Sequence, residues 1–237
     1  MIYLGCAGWS LPKEHALAFP EAGSHLERYA ARLSAVEINS SFYRPHRPQT
    51  YARWAASTPE DFRFSVKVPK AITHEMRLQG CETALDSFLA QCGELGEKLG
   101  CLLVQLPPSL GFDEAVVRRF FEALRCRFDK PVVVEPRHET WRSAQPLLID
   151  LQVGQVGASP SRFELDGQPS GWSGTAYWRL HGVPVVYRSA YTDQCLRELA
   201  AQLKRAHDQG AIPWCIFDNT ASGAAVGDAL SVRSYLG

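Results

Sequence analysis

Ionisable and amide side chains in this sequence gather where short apolar runs end. Glu37 and Asn39 close AVEIN, Lys67 closes RFSVK, and Gln105 follows CLLV. Further on, Glu135, Arg137 and His138 lie in VVVEPRH, Arg179 and His181 in YWRLH, and Asp218 and Asn219 in IFDN. These types supply both halves of acid–base chemistry: carboxylates take protons, imidazoles donate or relay them, and guanidinium forks hold phosphate or carboxylate. Buried without partners, each charge would cost several kcal/mol, so the set must be paired or must line a solvated pocket.

Three chemistries fit. The favoured one is metal-free acid–base catalysis on a small anionic substrate carrying a phosphate or carboxylate. Glu37 or Glu135 then serves as base, His74, His138 or His181 as acid or shuttle, and Asp218 belongs to the catalytic set. Arg137, Arg179 and Lys67 hold the anion, while Asn39, Tyr43, His74, Gln105 and Asn219 complete the substrate contacts. The second is a divalent-metal isomerase or hydrolase acting on a sugar or nucleic acid. Glu37, Glu135, His138, His181 and Asp218 would offer oxygen and imidazole donors to Mg²⁺, Mn²⁺ or Zn²⁺. The nearby Arg and Lys side chains raise the cost of a cation there, so a metal is not favoured. The third is non-catalytic binding of a nucleic-acid fragment or partner protein, with Trp9, Phe42, Tyr43 and Trp141 as stacking faces. For any one of these aromatics, covering the core is the commoner role. A plainer outcome competes with all three: Glu37, Glu135 and Asp218 balance Lys67, Arg137 and Arg179, so the charges could close on one another as a salt-bridge lattice.

Composition narrows the classes. Lys plus Arg and Asp plus Glu are 25 each in 237 residues, so bulk charge does not support a polyanion binder. The apolar runs are strand-length, well short of the ~20 residues that span a bilayer, and no membrane partner is expected. The opening MIYLGCAGWS has no basic stretch and runs straight into a strand pattern. The seven cysteines form no CxxC pair, and the expectation is reduced, mostly buried thiols in a cytoplasmic protein. No GxGxxG, Walker loop or pyridoxal-phosphate lysine motif is present, and His74-Glu75 is not an HExxH, so no coenzyme is indicated.

The elements that must position these side chains follow from periodicity. Eight short apolar runs, Ile2–Ala7, Ala35–Asn39, Phe62–Val68, Cys101–Leu106, Val132–Glu135, Val153–Gly157, Ala176–His181 and Trp214–Asp218, read as strands. Helical patterns over His25–Leu33, Gln49–Ser57, Glu82–Leu99, Asp113–Arg125, Asp193–Asp208 and Ala224–Tyr235 alternate with them. Asp113 is placed as a helix N-cap, Pro48 opens a helix, and a short helix is expected around Ser143–Asp150. The Ser-, Gly- and Pro-rich stretch Ala158–Thr175 replaces the helix after the sixth strand with a loop. Alternating strands and helices of this number predict one α/β domain, a TIM-type (β/α) barrel with eight parallel strands.

Strand parity then sorts the side chains. Phe62, Phe64, Val66 and Val68 share the helix-facing side, which turns Arg63, Ser65 and Lys67 inward. The same rule turns Glu37, Asn39, Gln105, Val133, Glu135, Arg137, Tyr177, Arg179, His181 and Asp218 inward, at or near the C-terminal strand ends where barrel enzymes place their sites. The last strand runs through Asp218, Asn219 and a Gly-containing loop into the final helix. Either its first amides receive an anion or Asn219 or Ser222 simply caps it.

Several of these segments carry more than chemistry. GCAGWS at 5–10, VEINSSFYR at 36–44, FRFSVKVPKAITHEMRL at 62–78, LVQLPPSLGFD at 103–113, VEPRHETW at 134–141, YWRLHG at 177–182 and FDNTASGAAVGDAL at 217–230 resemble, in order, the motifs of the DUF72 (YecE-like) family. The resemblance spans essentially the whole chain and implies the barrel fold. It implies no particular reaction, because the family has no established activity; a loose similarity to sugar-isomerase barrels is drawn for it. The sequence departs from the family pattern at Ala158, where an Asp is common, and at Pro136, where an aromatic usually separates the Glu and Arg. The first departure removes a carboxylate from the mouth and weakens the metal reading further.

Overall fold

A computed structural model describes residues 1–161 and 167–237. Among the described residues, ten strands form two sheets: β1 (Tyr3–Cys6), β2 (Ala35–Ile38), β3 (Arg63–Lys67), β4 (Leu99–Gln105), β5 (Val132–Glu135), β6 (Gly154–Gln155), β7 (Gly157–Ser159), β8 (Ser170–Gly171), β9 (Thr175–Leu180) and β10 (Ile212–Phe217). One sheet runs β2-β3-β4-β5-β6-β8 and the other β1-β10-β9-β7; every ladder is parallel except that between β6 and β8. Helices α1 (His25–Ala30), α2 (Pro48–Ala56), α3 (Glu82–Cys92), α4 (Glu114–Arg125), α5 (Gln145–Asp150), α6 (Asp193–Asp208) and α7 (Ala224–Leu236) lie between them. This is an α/β, TIM-barrel-like arrangement.

The two sheets meet along two seams. At the first, the single stretch 154–159 pairs with β5 through β6 and with β9 through β7. At the second, β1 approaches β2 through a parallel Ala7–Glu37 bridge and a Gly8 N–H to Glu37 carbonyl bond of 3.0 Å. Where that ladder is incomplete, hydroxyls finish it. The Tyr29 hydroxyl accepts from Cys6 N–H (2.7 Å) and donates to the Ala35 carbonyl (3.0 Å). Ser34 does the same between Leu4 N–H (2.9 Å) and the Ile2 carbonyl (3.1 Å). Buried backbone groups are thereby satisfied without strand pairing.

Most sequence expectations hold to within a residue or two. Asp113 caps α4 by accepting from Val116 N–H, and Pro48 is the first residue of α2. The pattern over Glu82–Leu99 divides: α3 ends at Cys92, and a 3₁₀ segment Gly93–Lys98 follows, bent at Gly96, which has a positive φ. The expected sixth strand is two short pieces, and part of the following segment returns as antiparallel β8. Among the described residues between β7 and β9 there is no helix; 162–166, which belong to that expected loop, lie outside the description. Residue Gly223, not Asn219 or Ser222, is the N-cap of α7, and no side chain caps it.

Parity is realised as two apolar layers. Val36, Ile38, Phe62, Phe64, Val66, Leu102, Val104, Val132 and Val134 pack under the helices. Ala35, Cys101, Leu103, Val133, Val156, Tyr177, Trp214 and Ile216 fill the space enclosed by the sheets. Of the seven cysteines, all unpaired, five are buried and two, Cys126 and Cys195, are exposed. No helix among the described residues is long and apolar enough to cross a membrane.

The seam between β1 and β2 leaves no room for a side chain at Gly5: a Cβ there would lie 1.9 Å from the Ala35 carbonyl oxygen and 2.8 Å from the Tyr29 hydroxyl. Gly5→Ala must separate the strands or displace Tyr29. We expect it to destabilise the fold by about 1–3 kcal/mol, the usual range for overpacking, measured as a fall in the urea midpoint. An unchanged midpoint would show that the seam is loose.

Candidate active site

Three carboxylates from different strands converge on one guanidinium. Arg179, on β9 and almost wholly buried, donates from Nε to Glu37 Oε2 (2.9 Å) and from Nη2 to Glu37 Oε1 (2.7 Å). Its Nη1 donates to Glu135 Oε2 at 3.0 Å, and Nη2 lies 2.9 Å from Asp218 Oδ2. Burial disfavours the charge on Arg179, but the three carboxylate charges outweigh it and hold the group well above its ordinary range. Below this cluster, the Tyr177 hydroxyl lies 3.0 Å from both Glu37 Oε2 and Ser65 Oγ.

His181 follows Arg179 by two residues, so it points the same way and shares its acids. Nε2 lies 3.3 Å from Glu135 Oε1, and Nδ1 3.2 Å from Asp218 Oδ2. Burial opposes a charge on the ring; the Glu135 charge and the hydrogen bonds to Asp218 and Glu135 reverse this and raise its pKa above the usual value. Both ring nitrogens then donate. Glu135 also accepts from Arg137, through Nε at 3.1 Å and Nη2 at 2.7 Å. Against the burial that favours its neutral form, the charges of Arg179, His181 and Arg137 hold Glu135 well below the usual carboxylate range, and Asp218 is lowered by Arg179 and His181 in the same way.

Lys67 is bound differently. Its ammonium lies 4.1 Å from the centre of the Phe42 ring, and among the described residues no carboxylate stands within ion-pairing distance. Burial, then the Arg179 charge, lowers its pKa to about 8, although Glu37, Glu135 and Asp218 pull the other way. His74 packs edge-on against the same Phe42 ring, bonds Thr73 through Nδ1 (2.8 Å), and is lowered by burial and by Lys67.

Two hollows open at these strand ends. One, of about 60 Å³, has Glu135, Arg137, His181, Ala158, Ser161 and Tyr187 in its wall. The other, of about 320 Å³, is bounded by Trp9, Ser10, His25, Glu37 and Asn39. A roomier groove of about 420 Å³ lies on the helix-facing side by Trp172, Trp178 and Arg205, apart from the acid cluster.

The structure therefore brings together Glu37, Glu135, Arg137, Arg179, His181 and Asp218, with Lys67 and His74 beside them. Gln105 is buried on the next strand, paired in register with Glu135. Asn39 borders the second hollow with a buried, unpartnered Oδ1. The remaining candidates stand apart. His138 turns away to cap a 3₁₀ turn and bonds Thr140 at 2.9 Å. Tyr43 is exposed and packs edge-on against Phe42. Asn219 is buried, donating to the Ser189 carbonyl (2.9 Å) and to Asp228 (2.7 Å), so it ties a loop to α7. Arg179 is not a free anion fork, since its donors already meet carboxylates. Trp141 is wholly buried, with its indole N–H on the Leu110 carbonyl.

Sequence reasoning passed over three participants. Tyr177 and Ser65 shared the inward parity and were legible by that rule. Tyr187, whose ring stands edge-on to His181 at 5.7 Å, lies in a loop with no periodic signal.

Among the described residues no group of three or more His, Cys, Asp or Glu is arranged to hold a metal ion. The reason is visible in the donors: the acids aim at the Arg179 guanidinium, which stands where a cation would have to sit.

The fold and the site at its strand ends are those of a TIM-barrel-like protein with a charged mouth. The chain belongs to the family described as "Protein of unknown function DUF72", whose profile matches residues 3–237. It is 34% identical over 170 residues to the UPF0759 protein YecE of Escherichia coli (strain K12), a match covering 71% of this chain and 60% of that protein. A DUF72 family protein from Enterococcus faecalis V583 superposes with a TM-score of 0.83 at 22% identity, over 100% of this chain and 95% of that one. A xylose isomerase-like TIM barrel/4-hydroxyphenylpyruvate dioxygenase fusion protein superposes at 0.54 and 14% identity, over 100% of this chain and 42% of that one.

Removing the central cation should be costly. Arg179→Met leaves three buried carboxylates without their shared partner, and we expect a loss of roughly 3–5 kcal/mol in urea unfolding. A loss below about 1 kcal/mol would mean that the acids find other partners. The pH dependence follows from the shifts. The raised His181 contributes stability that is complete below its unfolded value, about pH 6.5, and is lost as pH rises through its folded value. The lowered Glu135 and Asp218 contribute above about pH 4.5 and lose their share as pH falls through their folded values. His181→Gln should therefore flatten the alkaline limb of midpoint against pH and shrink the acid limb without abolishing it, because Arg179 still lowers both acids. An unchanged alkaline limb would remove His181 from the account.

Proposed function

We propose that this chain is an enzyme performing acid–base chemistry on a small substrate bearing a phosphate or carboxylate, in a pocket at the C-terminal ends of an eight-stranded closed barrel. The observation that supports it best is the small hollow that has His181, Arg137 and Glu135 together in its wall. In this reading the imidazolium of His181 is the proton donor, and Glu135 and Asp218 hold its ring and charge. Arg137 and Lys67 hold the anionic group, while Arg179 and Glu37 are positioning residues that fix the acids. Catalysis through a divalent metal is not part of the reading, because the would-be ligands are committed to Arg179.

Lys67 gives the test. A buried ammonium without a carboxylate partner is a cost to the fold, and such groups are kept where function needs them. Its lowered pKa makes the folded state bind fewer protons than the unfolded one between about pH 8 and 10.5, so the penalty is full below pH 8 and gone above 10.5. Lys67→Met should stabilise the protein at pH 7 by about 1–3 kcal/mol, with the gain vanishing near pH 10.5. The same variant should lose the rise in melting temperature that inorganic phosphate or a small carboxylate gives the unaltered protein. That rise should also fade above pH 8 as Lys67 loses its proton. No shift with any member of a broad panel of phosphates and carboxylates would overturn the reading.

A further inference from the structure

The geometry points to a substrate whose anionic head is joined to an apolar body, with the loop after β9 as the surface that receives the body. This rests on the pocket reading above and specifies its substrate class. The hollow beside His181, at about 60 Å³, admits little more than a head group, so the rest of any substrate must lie outside it. What lies there is Val183, Val185, Val186 and Tyr187, exposed by 44%, 53%, 41% and 42%. They are four of the ten exposed large hydrophobics among the described residues; the other six are scattered along the chain. Single exposed apolar residues mean little, but a contiguous set at a pocket rim marks a contact surface. The rim is continuous with the hollow, because Val186 and Tyr187 belong to both.

This loop is built, not slack. Val185 N–H donates to Ser189 Oγ (3.1 Å), and Ser189 N–H returns to the Val185 carbonyl (2.9 Å). Ala221 N–H holds the Tyr187 carbonyl at 3.0 Å, Asn219 holds that of Ser189, and Ser222 that of Arg188. Gly182 opens it at φ 95, where an added Cβ would meet the Ser189 carbonyl at 2.8 Å. Tyr187 itself is held at φ 67, a left-handed conformation that a tyrosine adopts only when its surroundings impose it. That conformation sets its ring on His181 and its hydroxyl beside Arg137. A loop that spends this many bonds to present valines to water is preorganised for an apolar ligand.

Linear alkyl phosphates from methyl to octyl, with inorganic phosphate and acetate as heads alone, test the inference by calorimetry and thermal shift. The expected result is an affinity that rises two- to fourfold per methylene, levelling once the chain outruns the shelf. The double variant Val183→Ser/Val185→Ser, at two valines outside the hollow's wall, should keep the response to inorganic phosphate and lose the dependence on chain length. Heads that bind with no gain from longer chains would overturn this inference and leave the pocket reading standing. No binding by any head or chain would overturn both. A concentration-dependent dimer that the double variant abolishes, with no chain-length effect, would put a second copy on the valines and also overturn it.

Discussion

A guanidinium cannot shed its proton to escape burial, so wherever Arg179 sits its charge must be met. At the end of β9 that requirement draws in one carboxylate from β2, one from β5 and one from the residue after β10. These elements come from both sheets. Arg179 thus ties to its own strand the ends of β2 and β5, neither of which pairs with β9. The positions of two further charged groups at the mouth follow. His181, two residues along, inherits Glu135 and Asp218; Arg137, two residues after Glu135, closes on its acid from the solvent side.

The ionised groups share the enclosed space with apolar and neutral polar neighbours. Leu103, Val133, Trp214 and Ile216 form an apolar zone. In register, Ile216 lies level with Arg179, Leu103 with Lys67, and Ser65 with Glu37. This mixture matters energetically. The apolar zone lowers the dielectric around the cluster, so each interaction is stronger than it would be in water and each unpaired group dearer. The Tyr177 hydroxyl lies against both Glu37 and Ser65, and burial beside that carboxylate keeps it protonated, well above its usual value.

How far the sequence foretells this depends on which physical rule is at work. Strand alternation is local and strict, so the inward sets Ser65–Lys67, Glu135–Arg137 and Tyr177–Arg179–His181 were readable, and so was the helix-facing layer. Which inward charges neutralise one another is not local. Arg179 read as an anion fork because nothing in YWRLHG says that three acids from distant positions will reach it. His138 and Asn219 share motifs with real members of the cluster, yet a turn captures one and Asp228 the other. Strand six failed for a related reason: the segment must serve two neighbours at once and splits into two pairs of contacts around Val156. Tyr187 was unreadable, since its placement comes from a loop held by bonds within itself, to Tyr191 and to residues beyond β10, none of which leaves a periodic signal.

The cations at the mouth differ in a way that separates framework from function. Arg179 is saturated, and any ligand that took its donors would strand buried acids, so it cannot exchange partners cheaply. Arg137 keeps part of its surface at the small hollow. Lys67 rests on an aromatic face, an interaction that favours the charge without consuming its hydrogen-bonding capacity. Lysine also suits that place chemically, because its proton can be moved by burial into the range near neutrality, which arginine's cannot. A lattice built only for stability would have paired that ammonium with one of the three nearby acids. Instead Arg179 holds the acids together, and the ammonium beside them rests on the Phe42 ring.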